Sequence, residues 1–243
     1  MSGNHNYQFS ILNYKNKHGF EHFEPKAVLF DMDGVLVNSM PLHAIAWQKS
    51  MATFGLKMTA EDAYMTEGAR GIDTIRIMVR RQQNREIDEQ EAQRMYDEKA
   101  RIFATMKKPR LMYGARSLLR ELKKRGMQVA IVTGSGQRPL INRLLKDFGE
   151  FIDEDHLVTA YDVKRGKPYA DPYLLGMKKC GTHPWETVVV ENAPLGVKAG
   201  VAAKAFTIAV NTGPLPDSAL LESGADILFS SLNRLLVEVR RVK

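Results

Sequence analysis

The sequence predicts an α/β protein: a Rossmann-like parallel sheet covered by helices on both faces, interrupted by an all-helical insertion. Short apolar runs rich in β-branched residues recur at Ala27–Phe30, Gln128–Val132, 188–190 and Phe206–Val210. Each is followed by a polar or glycine-rich turn and then a helix-like stretch, an alternation that buries both faces of a parallel sheet. Between about Pro41 and Lys107 no strand-like run occurs, only helical spacing.

Residues 1–24 are polar at the start, carry Lys15, Lys17 and His18, show no apolar run through Phe20, and read as a frayed or loosely packed tail. Ala27–Phe30 opens the sheet. The insertion takes residues 41–107, with helical patterns at 42–54, 60–65 and 72–81 and a long polar helix at 88–105. Trp47 and Phe54, at helical spacing, read as core of that insertion. Residues 112–126 read as a helix ended by Gly126. Residues 139–148 and 172–181 read as helices with proline in the first turn and glycine beyond the end. A further edge strand is expected at 225–229 and a closing helix at 232–239. The α/β core thus takes residues 25–40 and 108–243.

With 243 residues, 44% hydrophobic and 26% charged, the chain can bury a sizeable core without staples. Its single cysteine, Cys180, cannot form an intramolecular disulfide and reads as a structural residue facing a core, which fits a reducing compartment. No segment approaches the ~20 apolar residues of a membrane span. The expectation is a cytoplasmic monomer or weak dimer with no membrane partner. A net charge of +7 invites a nucleic-acid reading. The basic residues are dispersed among acids or at helical spacing, however, so solvated helix faces and a small anionic substrate are expected, with no nucleic acid.

In open parallel sheets ligands bind beyond the carboxyl ends of the strands. There the first strand delivers Asp31-Met32-Asp33-Gly34-Val35, the second Thr133-Gly134-Ser135-Gly136, and the third Glu191-Asn192-Ala193-Pro194-Leu195-Gly196. Gly166-Lys167-Pro168 introduces a helix between them. This set fits phosphoryl transfer. A carboxylate can attack phosphorus and split one difficult step into two. It needs a cation to approach an anionic phosphate, and hard oxygen ligands suit Mg²⁺. Asp31 would be the nucleophile, and Asp33, two residues on, the general acid and then base. Thr133 and the backbone around Gly134 would hold the transferring oxygens while Lys167 offsets their charge.

The ordered motifs Asp-x-Asp-Gly-Val, Val-Thr-Gly, Gly-Lys-Pro and Glu-Asn-x-x-x-Gly resemble the four motifs of the haloacid dehalogenase superfamily, in particular its β-phosphoglucomutase-like subgroup. They span Ala27 to Val210, and the helical insertion sits where that subgroup places its cap. The resemblance implies that Asp31 is the nucleophile and that Asp33 is the acid/base whose carbonyl also binds Mg²⁺. It further implies that Thr133 and Lys167 bind the phosphoryl group and that Glu191 and Asn192 form the metal pair. Gly34, Ser39, Gly134 and Ser135 are further candidates for phosphate contact. Two readings stand for Ser39, phosphate contact or helix cap, and two for His43, a hinge histidine or a satisfied half-buried one.

The chain departs from the subgroup at two places. Asn192 stands where the second metal-site residue is usually Asp, so the site loses one negative charge. In mutase-type members an arginine near the cap turn grips a second phosphate. Here Gly71 falls at that place, Arg70 one residue early, and Glu67 near the start of the loop. Glu67 facing the metal would restore the charge and suit a small, highly charged substrate. The expected activity is therefore hydrolysis of a small phosphate substrate, a sugar phosphate or pyrophosphate. Interconversion of β-glucose 1-phosphate and glucose 6-phosphate is the alternative, and a catalytically weak binding protein the reading from another class.

Overall fold

The computed structural model describes residues 3–136 and 138–242. Helix α1 (Gly3–His18) precedes the first strand, β1 (Ala27–Phe30). The chain then turns through Asp33 into β2 (Val37–Asn38) and enters four helices, α2 (Met40–Thr53), α3 (Ala60–Met65), α4 (Gly71–Gln83) and α5 (Glu89–Ala104). It returns through β3 (Arg110–Leu111), antiparallel to β2 with Val37 opposite Leu111. Entry to and exit from the helical insertion are thereby stitched together. Helices and strands alternate from there: α6 (Ala115–Lys124), β4 (Gln128–Val132), α7 (Arg138–Phe148), β5 (Leu157–Val158), α8 (Asp171–Cys180), β6 (Thr187–Glu191), α9 (Pro194–Ala202), β7 (Phe206–Val210), α10 (Asp217–Leu221), β8 (Ile227–Phe229) and α11 (Leu232–Arg241).

Six strands form one parallel sheet in the order β5-β4-β1-β6-β7-β8. Successive side chains alternate between its faces. Val28 and Phe30 join a cluster with Leu118 and Leu122 of α6 and Leu235 of α11. Ala27 and Leu29 join the other, with Tyr173 and Met177 of α8 and Ala199 of α9. The insertion carries a separate cluster of its own, including Trp47, Met51, Ile75, Met78 and Met95. Its short helix α3 is started by a reciprocal cap between Thr59 and Asp62, and α5 by Asp88 accepting from the Glu91 amide. Among the described residues no helix is long and apolar enough to cross a membrane.

Two expectations need correction. The N-terminal segment is not a loose tail over its described length, because Tyr7, Ile11 and Tyr14 recur at helical spacing and pack α1 onto the sheet's core cluster. Tyr14 is fully buried, edge-on to Phe206 at 5.4 Å, and its hydroxyl donates to the carbonyl oxygens of Pro184 at 3.0 Å and Lys204 at 2.8 Å. Phe54, read as insertion core, lies just past the end of α2 and is exposed, whereas Trp47 is buried as expected.

Replacing Tyr14 with Ala should lower unfolding free energy by about 3–5 kcal/mol, since it empties a large aromatic site and orphans its acceptors. Chemical denaturation checks this. Catalytic turnover per folded molecule should not change, because Tyr14 is remote from the strand ends that carry the site.

Candidate active site

The register of the sheet assembles the site. Phe30 pairs with both Ile131 and Val190, so the residues that follow, Asp31 and Glu191, emerge side by side at the carboxyl edge, with Thr133 just past the end of β4. The chain order reverses direction at β1 and β6, the crevice where open sheets bind ligands.

Lys167 fills the gap between these strand ends. Its ammonium donates to Asp31 Oδ1 at 2.5 Å, to Glu191 Oε1 at 2.6 Å and to the Val132 carbonyl at 3.1 Å, and all three side chains are buried. Tyr173, on α8, donates its hydroxyl to the same Glu191 oxygen at 2.7 Å, and the Asn192 amide donates to Glu191 Oε2 at 3.0 Å. Glu191 is thus fully engaged within the protein. The charges of Asp31 and Glu191 outweigh burial and hold the Lys167 ammonium above the usual lysine range. Burial pushes Asp31 well above the usual carboxylate range despite Lys167, and the charges of Glu191 and Asp33 push the same way.

Asp33 is tuned in the opposite sense. Its Oδ1 accepts from the Ser39 hydroxyl at 2.5 Å and lies 3.1 Å from His43 Nε2. The Lys99 ammonium donates to His43 Nδ1 at 2.7 Å, so Nε2 carries the imidazole proton and points it at Asp33. His43 also stacks on Phe103, ring centres 4.1 Å apart. Burial works to raise Asp33, but His43 first, then Ser39 and Lys99, bring it below the usual carboxylate range. Burial depresses the pKa of Lys99 to about 8, and burial with the Lys99 charge lowers that of His43. Ser39 stands at the start of α2 but makes no side-chain cap there; its hydroxyl serves Asp33. His43 is buried rather than half-buried, and occupied by Asp33 and Lys99.

The loop between α3 and α4 closes over this arrangement. A β-carbon at Gly134 would stand 2.4 Å from the Gly68 carbonyl oxygen and 2.8 Å from that of Ala69, so the loop rests directly on the backbone after Thr133. The Thr133 hydroxyl accepts from the Ser135 amide at 3.0 Å. Gly34 has φ +84°, and a β-carbon there would stand 2.1 Å from Asn192 Nδ2. The glycine of Asp-x-Asp-Gly is therefore required twice. A cavity of about 30 Å³ remains, lined by Asp33, His43, Glu67, Lys99, Gly134 and Ser135 among others. Glu67 is half-buried and its carboxylate takes no hydrogen bond among the described residues; burial first, then Asp33 and Asp31, push it well above the usual range. Arg70 is not brought in. Its guanidinium grips Asp73 at 2.8 and 3.0 Å, on the far side of the loop against Gly166.

The residues fit a bound divalent cation. Asp31 Oδ2 and Asn192 Oδ1 are buried and without a hydrogen-bond partner among the described residues. Four carboxyl groups, on Asp31, Asp33, Glu67 and Glu191, face two ammonium groups, on Lys99 and Lys167, so the site holds protons on Asp31 and Glu67 that a cation can replace. Asp31, Asn192 and the backbone oxygen of Asp33 are the candidate holders, with Glu191 steadying Asn192 and Lys167.

Lys99 and Tyr173 were missed by sequence reasoning. Lys99 looks like one more charge on a polar helix, but Met95, Tyr96 and Phe103 stand four before, three before and four after it. That places it on the apolar stripe of α5, where a cation needs a buried partner. Tyr173 carries no comparable signal.

The family model of the haloacid dehalogenase-like hydrolases matches residues 25–204. The hexitol phosphatase A of Escherichia coli strain K12 is 36% identical over 212 residues, 87% of this chain and 94% of that protein. A phosphorylated carbohydrates phosphatase of Thermotoga maritima is 30% identical over 202 residues, 82% of this chain and 92% of that one. A solved structure from Bacteroides vulgatus, provisionally described as a beta-phosphoglucomutase, superimposes with a TM-score of 0.93 at 45% identity and covers 98% of both chains.

Because Asp31 and Glu67 hold protons above the usual carboxylate range, a cation entering the site should displace them. Mg²⁺ binding should release protons at mildly acidic pH and tighten as pH rises. Calorimetric titration in buffers of different ionisation enthalpy reads this directly, and buffer-independent enthalpy would contradict it.

Proposed function

This chain belongs to the haloacid dehalogenase-like hydrolase family, and from that premise we propose that it is a Mg²⁺-dependent phosphohydrolase of small, highly charged phosphate substrates, with Asp31 as covalent nucleophile. Family membership makes it an enzyme of the phosphatase kind rather than a catalytically weak binding protein. The observation that carries the reading is the contrast between two carboxylates two residues apart. Asp31 keeps one oxygen without a partner, whereas Asp33 is fixed by Ser39 and His43. The assignment rests on this geometry: the cation-free proton affinities run the other way, Asp31 above the usual carboxylate range and Asp33 below it, and a bound cation would lower Asp31.

In this reading Asp31 attacks phosphorus and the bond to the leaving oxygen breaks, with Asp33 supplying the proton. Water then attacks the aspartyl phosphate, Asp33 accepts its proton, and phosphate leaves. His43 and Lys99 hold Asp33 in place and adjust its proton affinity. Lys167, Thr133 and the amides near Gly134 and Ser135 neutralise and orient the transferring oxygens. Mg²⁺, when bound, neutralises the repulsion between Asp31 and the phosphate. The helical insertion acts as a cap over residues 41–107.

The free space between the loop and Asp33 is small and opens to solvent. About 30 Å³ accommodates two or three water molecules. Glu67 over the site, and Arg70 turned to Asp73, favour pyrophosphate or a compact monoester over a sugar bisphosphate. The mutase reading has its support in the likeness to the Bacteroides vulgatus structure. Incubation with β-glucose 1-phosphate separates the two: a phosphohydrolase releases inorganic phosphate, a mutase yields glucose 6-phosphate without release.

Replacing Asp31 with Asn should reduce turnover below about a thousandth of wild type at saturating Mg²⁺ with the fold intact. Replacing Asp33 with Asn should cost alkyl phosphates about 10²–10⁴ in turnover and aryl phosphates distinctly less, because aryl leaving groups need less protonation. Parallel kinetics on both ester types checks the division of labour; equal losses would remove the acid role from Asp33.

If Glu67 compensates for the neutral Asn192, Glu67→Ala should raise the Mg²⁺ requirement and depress turnover of the smallest substrates. Adding Asn192→Asp should recover part of the loss, a non-additive pair. Simple addition of the two effects in steady-state Mg²⁺ titrations would make Glu67 a solvated loop acid.

A further inference from the structure

On the opposite side of the sheet ends from the loop, a second cavity of about 240 Å³ opens beneath α6 and α11. Its floor is apolar sheet surface, with Val28, Phe30 and Val190 among the residues exposed to it. Leu122 and Leu235 form walls, and Tyr7 of α1 closes one side. One lining residue does not suit such a place. Glu238 is 7% exposed, its Oε1 has no partner among the described residues, and its Oε2 is only 3.5 Å from Arg241 at the surface. Arg125, the other charged residue of the lining, donates to the Val242 carbonyl at 2.6 Å and to Glu121 at 3.2 Å.

A carboxylate oxygen buried without a partner among apolar groups is costly, and the cost is offset when a donor with positive charge meets it. The cavity supplies the room for such a group and for an apolar body attached to it. An engineered apolar cavity of about 150 Å³ holds a benzene ring, so this one has space for a ring and a short chain. The polar end and much of the wall come from outside the family match at residues 25–204: Tyr7 before it, Leu235 and Glu238 after it. The pocket is closed by the terminal helices and shares no lining residue with the cavity beside Asp33.

We propose that this cavity is a binding site for a small primary amine with an aromatic or branched-aliphatic body, its ammonium on Glu238 and its apolar part on the sheet floor. Ligand-observed NMR titration of the full chain with phenethylamine, 2-phenylethanol and 3-phenylpropanoate, at saturating Mg²⁺, tests it. The amine should bind about tenfold or more tighter than the alcohol, and the acid weakest. Glu238→Gln should bring the amine to the affinity of the alcohol and leave the alcohol within about threefold. Val239→Trp, which fills the cavity, should abolish binding of all three. Neither residue touches the catalytic strand ends, so phosphate release by both variants should match wild type and certify the fold. Equal affinity for the three probes, an amine affinity indifferent to Glu238→Gln, or no binding at all would overturn the assignment.

Discussion

The ammonium of Lys167 is the interaction on which the rest of the site depends. Parallel pairing of β1 with β6 forces Asp31 and Glu191 into neighbouring positions at the carboxyl edge, out of water. Two buried carboxylates at that separation repel each other and resist ionisation. A cation between them, at 2.5 and 2.6 Å, makes the pair tolerable. Its geometry is fixed in turn by the Val132 carbonyl, and that of Glu191 by Tyr173 and the Asn192 amide. The sheet can therefore hold Asp31 and Glu191 side by side only because a residue from a later loop reaches back to them. The ion triad contributes placement more than stability, as buried ion groups commonly do.

Asp33 depends on a different part of the chain. Its carboxylate belongs to the core, but the groups that set its proton affinity come from the connection into the insertion and from the insertion itself: Ser39 before α2, His43 on α2, Lys99 on α5. The stitched strands β2 and β3 hold that connection in register. Movement of the helical lobe would thus alter the basicity of a core residue as well as the access of substrate.

Much of this was legible in the sequence because the sheet uses short, fully buried runs such as Ala27–Phe30 and Phe206–Val210, whose β-branched content and bounding glycines are local signals. The motif residues Asp31, Asp33, Thr133 and Glu191 could be placed at strand ends for the same reason, and Lys167 before a helix; the structure brings them together at the carboxyl edge of the sheet. What escaped notice depends on long-range contact. Lys99 acquires its meaning only when α5 is laid against α2, and the strands β2, β3 and β5 are two residues long, below any periodic signal. The segment containing Tyr14 was misread because three apolar residues spread over a polar helix do not look like a core contribution until Phe206 is seen beside them. Arg70 was considered for the site from its number in the loop; its orientation is decided by Asp73, one turn into the helix that follows.

The contact between Gly134 and the carbonyls of Gly68 and Ala69 joins the two lobes through main chain alone. This contact is set by backbone atoms, and the Arg70 side chain against Gly166 adds a second contact beside it. Any residue other than glycine at 134 would act as a wedge and hold the enzyme ajar for every substrate alike.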